Sequence, residues 1–296
     1  MSTVASGERR RLWGMLSPFL VGLSVLIAVP AAVTVVLAFF DYDFASAPAF
    51  RGLGNFRELF SDDVFRISLR NSLVFALWAV PLRVLGAFAL GLLMHERFRG
   101  ASAARSAVLL PSVIPDVAYA LVWLWILNPV YGPIVLAADA LGLPQPGFLV
   151  SPVATQAGVV LMSVFQLAEG FLLAMAVRRD VPDELYELAA VEGAGRWASF
   201  RRLTMPLLGP ALLLLLLRDT IFSLQATFVP ALVVTEGGPP PYSTTYLPLF
   251  VYREGFEYLR YGYAAAATVV MLLVTANIVW LEIGVLDRWR RGLVSR

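Results

Sequence analysis

The chain has 296 residues, 59% of them hydrophobic, with a mean hydropathy of +0.74. A soluble domain is about 45–50% apolar, so composition alone makes this a membrane protein. It has no cysteine and a single histidine, His95, which excludes disulfides, thiolate or multi-histidine metal sites and a cysteine nucleophile. The formal charge is +2, and the 23 basic residues, all Arg, gather at the ends of apolar blocks and not along an aromatic-laced face, so no nucleic-acid surface is read.

Six apolar blocks reach the roughly 20 helical residues needed to cross about 30 Å of hydrocarbon. They lie near 15–40, 71–93, 106–128, 153–177, 206–234 and 263–286, inside one membrane domain over 15–286. Residues 1–14 form an N-terminal arm, 178–205 a polar loop and 287–296 a tail. Arg9-Arg10-Arg11 resembles the n-region of a signal peptide. The apolar run behind it far exceeds a cleavable core of about 7–15 residues, so it is read as a retained span. Fifteen of the 23 arginines fall in the arm, the 94–105 loop, the 178–205 loop and the tail; six fall in the opposite loops. Positive charge marks the cytoplasmic side, which puts both termini and the 178–205 loop in the cytoplasm. The chain is expected in a bacterial plasma membrane.

The polar loop is the most informative stretch. Asp183 and Glu184 follow Pro182, a helix start in which carboxylates face the positive end of the dipole. Gly193 and Gly195 permit a bend or a C-cap, and Pro206 opens the next apolar block. Glu187-Leu188-Ala189, then Gly193 after three residues, then Leu203-Thr204-Met205-Pro206 after nine more, resembles the coupling loop of binding-protein-dependent ABC importer permeases. That family's pattern is Glu-Ala-Ala, three residues, Gly, nine residues, Ile-x-Leu-Pro; Leu188, Leu203 and Met205 are apolar departures from it. The carbohydrate branch is further matched by Phe50-Arg51-Gly52-Leu53-Gly54-Asn55-Phe56, by Leu110-Pro111 and Trp123-Leu124-Trp125 with Gly132 beyond, by Thr235-Glu236-Gly237-Gly238-Pro239, and by Gly255-Phe256 and Gly262-Tyr263-Ala264-Ala265-Ala266. The maltose/glycerol-phosphate-type first permease is the nearest resemblance.

The resemblance implies an all-α polytopic fold with six transmembrane helices and a cytoplasmic coupling helix, the type I importer permease fold. It implies a permease subunit that moves a sugar, either a di- or oligosaccharide or a glycerol-phosphate-like solute. The expected partners are a second, related permease, two copies of an ABC ATPase, an extracytoplasmic sugar-binding protein and membrane lipid. Glu187 would contact the ATPase, Ala189 and Ala190 would keep the helix slim, Gly193 would turn it, and Leu203 and Pro206 would return the chain to the membrane. ATP and magnesium belong to the partner. This chain has no lysine and so no phosphate-binding Gly-x4-Gly-Lys loop; neither a catalytic residue nor a bound cofactor is expected. Arg196, Arg201 and Arg202 would steady the loop on anionic headgroups.

Inside the blocks stand Arg83, Asp116, Glu169, Arg218, Asp219 and Glu282. Each costs about 2.5–3.5 kcal/mol at mid-membrane on insertion scales, so each should face protein or water. Arg218 and Asp219 point about 100° apart and need different partners; Glu169 and Asp116 are both open to Arg218. Arg83 and Glu282 read more as structural charges. Gln166, Asp219, Phe222, Ser223, Gln225 and Thr227 are the substrate-path candidates, offering hydroxyl, amide and aromatic groups. Trp123, Trp125 and Tyr131 read as an interfacial belt. An ion-coupled secondary transporter using Asp116 and Asp219 and an importer for a non-sugar solute are the alternatives. A membrane enzyme lacks converging catalytic groups.

Overall fold

The computed structural model describes residues 2–43, 45–95, 98–225, 227–238 and 241–294, with side chains described between 11 and 285. Of the residues named or counted above, the side chains of Arg9, Arg10, Arg97, Pro239, Arg288, Arg290, Arg291 and Arg296 lie outside that description. Four helical stretches are long and apolar enough to cross a bilayer: Arg11–Leu37, Asp63–Leu93, Arg196–Gln225 and Tyr261–Val285. Two further helix pairs are long and apolar enough together but bent, Ala101–Ser112 with Asp116–Ile126 at 101° and Pro152–Val164 with Ala168–Asp180 at 42°. Counting each pair as one gives six. The chain divides into two compact units, 1–62 with 251–270 and 63–250 with 271–296.

The first unit begins with α1 (Ser2–Leu23), which passes through a π turn at Ser24–Ala28 into α2 (Val29–Leu37). From Leu12 onward this segment is apolar all round and leaves Phe19, Leu26 and Val36 exposed, as a lipid-facing helix does. The one departure from an all-helical chain among the described residues follows it, a hairpin pairing β1 (Phe40–Asp41) with β2 (Ala49–Phe50). Helix α2 ends with carbonyls that lack helical partners. Asn55, buried at the start of α3 (Gly54–Ser61), donates Nδ2 to Ala38 O at 3.0 Å and to Phe40 O at 2.8 Å. The Gly-Leu-x-Asn-Phe signature is therefore a cap on the first span. Gly262 closes against the same corner: a Cβ there would stand 2.0 Å from Phe40 O.

A charge network ties this unit together. Arg260 pairs with Glu58 and, at 3.2 Å, with Glu254; Arg51 reaches Glu58 at 2.9 Å; Tyr263 donates to Asp62 at 2.8 Å. Glu254 is buried, and burial raises its carboxyl above the ordinary 4.5, with Arg260 opposing the rise. Removing that cation in Arg260→Gln should raise it further. An acid whose folded pKa exceeds its unfolded one destabilises the fold while ionised, a cost relieved as pH falls through the folded value. The variant is therefore expected to lose about 1 kcal/mol at neutral pH, a modest figure because Arg260 is part-exposed. It should regain part of that loss on mild acidification, read as melting temperature against pH. A pH-independent deficit would contradict this.

The second unit is built on α4 (Asp63–Leu93). Next come α5 (Ala101–Leu109), α6 (Asp116–Ile126), α7 (Pro133–Ala140), α8 (Pro152–Val164) and α9 (Ala168–Asp180). They are followed by α10 (Asp183–Val191), α11 (Arg196–Ser199), α12 (Met205–Gln225) and α13 (Phe228–Val234). The last elements of the chain are α14 (Leu247–Tyr252) and α15 (Tyr261–Val294). Helix α4 packs on α8, α9 and α12. Its crossing with α9 is close because small residues face each other: a Cβ on Gly91 would lie 2.6 Å from Ala174 Cβ, and one on Gly170 would lie 2.9 Å from Ala87 Cβ.

The third and fourth apolar blocks are not continuous helices. In the third, Pro111 and Pro115 interrupt the ladder, and Asp116 sits exposed at the start of α6, not midway along a continuous span. The fourth breaks at 165–167, freeing carbonyls at the end of α8; Tyr119 donates its hydroxyl to one of them, Met162 O, at 2.7 Å. Trp123 departs from the belt expectation. It is buried with Tyr119, Leu127 and Met162 and tilts against Phe165, whereas Trp125 and Tyr131 are exposed.

Candidate functional site

Two clusters hold the residues singled out by the sequence. The first is the polar loop. Helix α10 starts behind Pro182 with Asp183 and Glu184 in its first turn. It stops at Gly193, φ +82°, where the amide of Ala194 donates to Ala189 O at 2.9 Å and that of Gly193 to Ala190 O at 3.0 Å. These paired bonds are a Schellman cap. Ala189 and Ala190 thus supply the capped carbonyls, and Gly193 occupies the left-handed position that strains any other common residue.

One face of α10 is fastened. Tyr186 hydrogen-bonds Thr204 through their hydroxyls at 3.1 Å, and Arg178 lies 4.3 Å over the Tyr186 ring while donating to Asp183 at 3.1 Å. The other face is bare: Glu187 is exposed, and Leu188 and Val191 are 59% and 85% exposed. Past the turn Trp197 is exposed and stacks on Phe200 at 5.5 Å, and Arg196, Arg201 and Arg202 are exposed. Leu203 is half-buried in a π stretch, Phe200–Thr204, that leads into α12, whose first turn contains Pro206. Sequence reasoning missed Arg178 and Tyr186. The available signal was the single aromatic of α10, with an arginine five residues before the first acid of that helix.

The second cluster lies among α4, α9 and α12. Arg83 Nε donates to Asp219 Oδ2 at 3.1 Å, its Nη2 donates to Ser223, and both members of the ion pair are buried. Arg218 pairs with Glu169 on α9. The ring of Phe222 lies under both cations, 5.6 Å from Arg83 and 5.1 Å from Arg218. Arg83, Gln166, Phe222, Ser223 and Thr227 line one small cavity of about 20 Å³, room for about one water. Gln166 reaches it because the α8–α9 break falls there, and Thr227 because α12 gives way to α13 there. The buried Thr227 hydroxyl has no partner among the described residues. Gln225 is a departure: it ends α12, exposed, and does not line this cavity. Glu282 stands apart and accepts from Thr220 at 2.7 Å.

At the opposite end of α8, the Gly-Gly loop folds on itself. Gly238 donates to Thr235 O at 2.9 Å, Thr245 Oγ1 donates to Gly238 O at 2.8 Å, and a Cβ on Gly238 would stand 2.7 Å from Thr245 N. Beside it opens a cavity of about 410 Å³ lined in part by Asn128, Thr155, Glu236 and Ser243.

The second unit thus holds a buried ion pair among α4, α9 and α12 and a capped loop helix with one bare face. Residues 83–291 match the family described as the inner membrane component of binding-protein-dependent transport systems, and the chain belongs to it. It is 30% identical over 270 residues to YesP of Bacillus subtilis (strain 168), a probable ABC transporter permease, covering 90% of this chain and 87% of the relative. It is 30% identical over 272 residues to SmoG of Agrobacterium fabrum, a permease of a sulfoquinovosyl glycerol transport system, covering 91% and 88%. Its fold matches a bacterial alginate ABC transporter, crystallised with a periplasmic protein carrying an alginate pentasaccharide, at a TM-score of 0.83 with 23% identity over 96% of both chains. The chain is an integral membrane permease of the ABC importer class.

Proposed function

We propose that this permease moves a sugar-bearing solute, handed over by an external binding protein, and that ATP bound by partner ATPases drives it through α10. The observation that carries the reading is the asymmetry of α10. One face is locked to its own subunit by Tyr186 and Arg178, while the other presents Glu187 beside Leu188 and Val191 to solvent. Exposed apolar patches rimmed by charge mark contact surfaces. A helix fixed at its back and capped at Gly193 transmits a push as a rigid body; Glu187, Ala189, Ala190, Gly193, Leu203 and Pro206 are assigned to that coupling.

The loop then lies in the cytoplasm with both termini, in a bacterial plasma membrane. The Gly-Gly loop and its adjoining cavity face the binding protein. A second, related permease completes the pathway, and two ATPase copies hold ATP and magnesium. SmoG's system carries a sulfoquinovosyl glycerol and the alginate transporter an acidic polysaccharide, which supports a sugar-bearing cargo here. Gln166, Phe222, Ser223 and Thr227 offer that cargo hydroxyl, amide and aromatic partners, with Asp219 acting through Arg83. Reconstitution with the genomically adjacent ATPase, permease and binding protein tests the reading. Uptake should require ATP and the loaded binding protein; uptake by this chain alone, driven by an ion gradient, would overturn it.

A further inference from the structure

The cavity of about 410 Å³ beside the Gly-Gly loop is far larger than the one among α4, α9 and α12. Its walls come from three places: Asn128 just beyond α6, Ser151 and Thr155 at the start of α8, and Thr235 and Glu236 of the loop. The start of α8 and the polar loop lie at opposite ends of the α8–α9 pair, so this opening is at the far end of the span from α10. Glu236 is the only ionisable residue in the described walls. It is exposed, and its carboxylate meets no hydrogen-bond or ion-pair partner among the described residues.

The backbone around this carboxylate is strained. Glu236, Gly237 and Gly238 stand in the left-handed region one after another, at φ +51°, +75° and +65°. Glycine adopts that conformation freely, but glutamate does so only at a cost. Of the four non-glycine residues with positive φ among the described residues, Leu149 also lines the cavity, and Tyr242 stands between two residues that line it. Such strain gathers where a ligand or partner is held. The loop is fixed as well: Thr244 Oγ1 donates to Thr235 Oγ1 at 2.8 Å, Thr235 Oγ1 to Ala231 O at 2.6 Å, and the Gly237 amide to Ala231 O at 2.9 Å. A rigid, unpaired carboxylate beside a polar opening is complementary to a cation. One carboxylate is too few for a metal ion, and no group of three His, Cys, Asp or Glu forms among the described residues. A guanidinium or ammonium on a flexible stem needs only one carboxylate. We propose that this opening receives a lysine or arginine side chain of the external binding protein, whose cation pairs with Glu236. The inference rests on the import function proposed above, which turns this end of the chain toward that protein.

The test uses the full chain assembled with its partner permease and ATPase in nanodiscs. Docking of the genomically adjacent binding protein is read by biolayer interferometry at low and high salt. Glu236→Gln keeps the size and removes the charge; docking should weaken about tenfold at low salt and lose most of its salt dependence. Glu236→Gly relaxes the turn, so it should weaken docking as much while melting no lower than wild type. A purely structural role for Glu236 does not give that combination. Glu236→Lys should weaken docking further, and one Lys→Glu or Arg→Glu exchange on the binding protein should restore it. Wild type that docks, with Glu236→Gln and Glu236→Gly docking equally well, would overturn the proposal and leave the import reading standing. Wild type that does not dock at all would remove both. Absence of rescue by any such exchange would assign the carboxylate to the cargo and overturn the proposal. Release of the second permease by Glu236→Lys would assign it to the subunit interface, with the same consequence.

Discussion

Replacing Arg83 with Met is expected to destabilise the folded chain by about 3–5 kcal/mol, the cost of stranding a buried charge whose partner has been removed. Asp219 is 7% exposed and takes a bond from Arg83 at 3.1 Å, and the same guanidinium also serves Ser223. A buried carboxylate with neither cation nor donor has no cheap refuge between helices. The melting temperature in detergent should fall on the order of 10 °C. Converting both partners, Arg83→Met with Asp219→Leu, should recover most of the loss, because an apolar pair of similar volume is close to neutral in place of a buried ion pair. A single variant that melts with wild type would show that the pair contributes nothing. The double variant then separates two roles. If it is stable and imports normally, the pair is only structural; if it is stable and import falls, the pair belongs to the solute path.

What could be read from the sequence follows the range of the interactions. The polar loop was legible because its signals are local: a proline and two acids at the start, a glycine at the stop, and a return to apolar residues. The six blocks were legible from hydropathy, yet their breaks were not. A window average runs across Pro111 to Pro115 and across residues 165–167 without a dip, and only the backbone reveals a 101° and a 42° bend there. Pairing of the intramembrane charges is the least local feature. Cost arguments said that each needed a partner, but Arg83 meets Asp219 across 136 residues of chain. Of the two partners open to Arg218, Glu169 is the one that meets it, because Asp116 is drawn to the start of α6. Gln225 shares a helical stripe with Phe222, but α12 ends on it. Trp123 carries the same residue type as Trp125 and faces the opposite way, which spacing alone does not decide.

Gly193→Pro should abolish coupled import while leaving the membrane helices folded. Proline fixes φ near −65° and has no amide hydrogen, whereas Gly193 sits at +82° and donates to Ala190 O. Both halves of the cap are lost, so α10 frays at the end that must stay rigid. Gly193→Ala keeps the donor and meets no atom within 4 Å; its cost is backbone strain alone, about 1 kcal/mol. The graded pair isolates the backbone conformation from the side chain. Glu187→Ala completes the series from the other direction. The residue is exposed, so melting should stay within about 0.5 kcal/mol of wild type, while ATPase capture in a pull-down should weaken about tenfold or more, as for a central contact in an interface. The expected order of import is wild type, then Gly193→Ala, then Glu187→Ala, with Gly193→Pro at background. Unimpaired import by Gly193→Pro would mean that α10 need not be rigid, and the force would then have to enter the bundle elsewhere. Loss of import by Glu187→Ala with ATPase capture intact would move that residue from holding the partner to transmitting its motion.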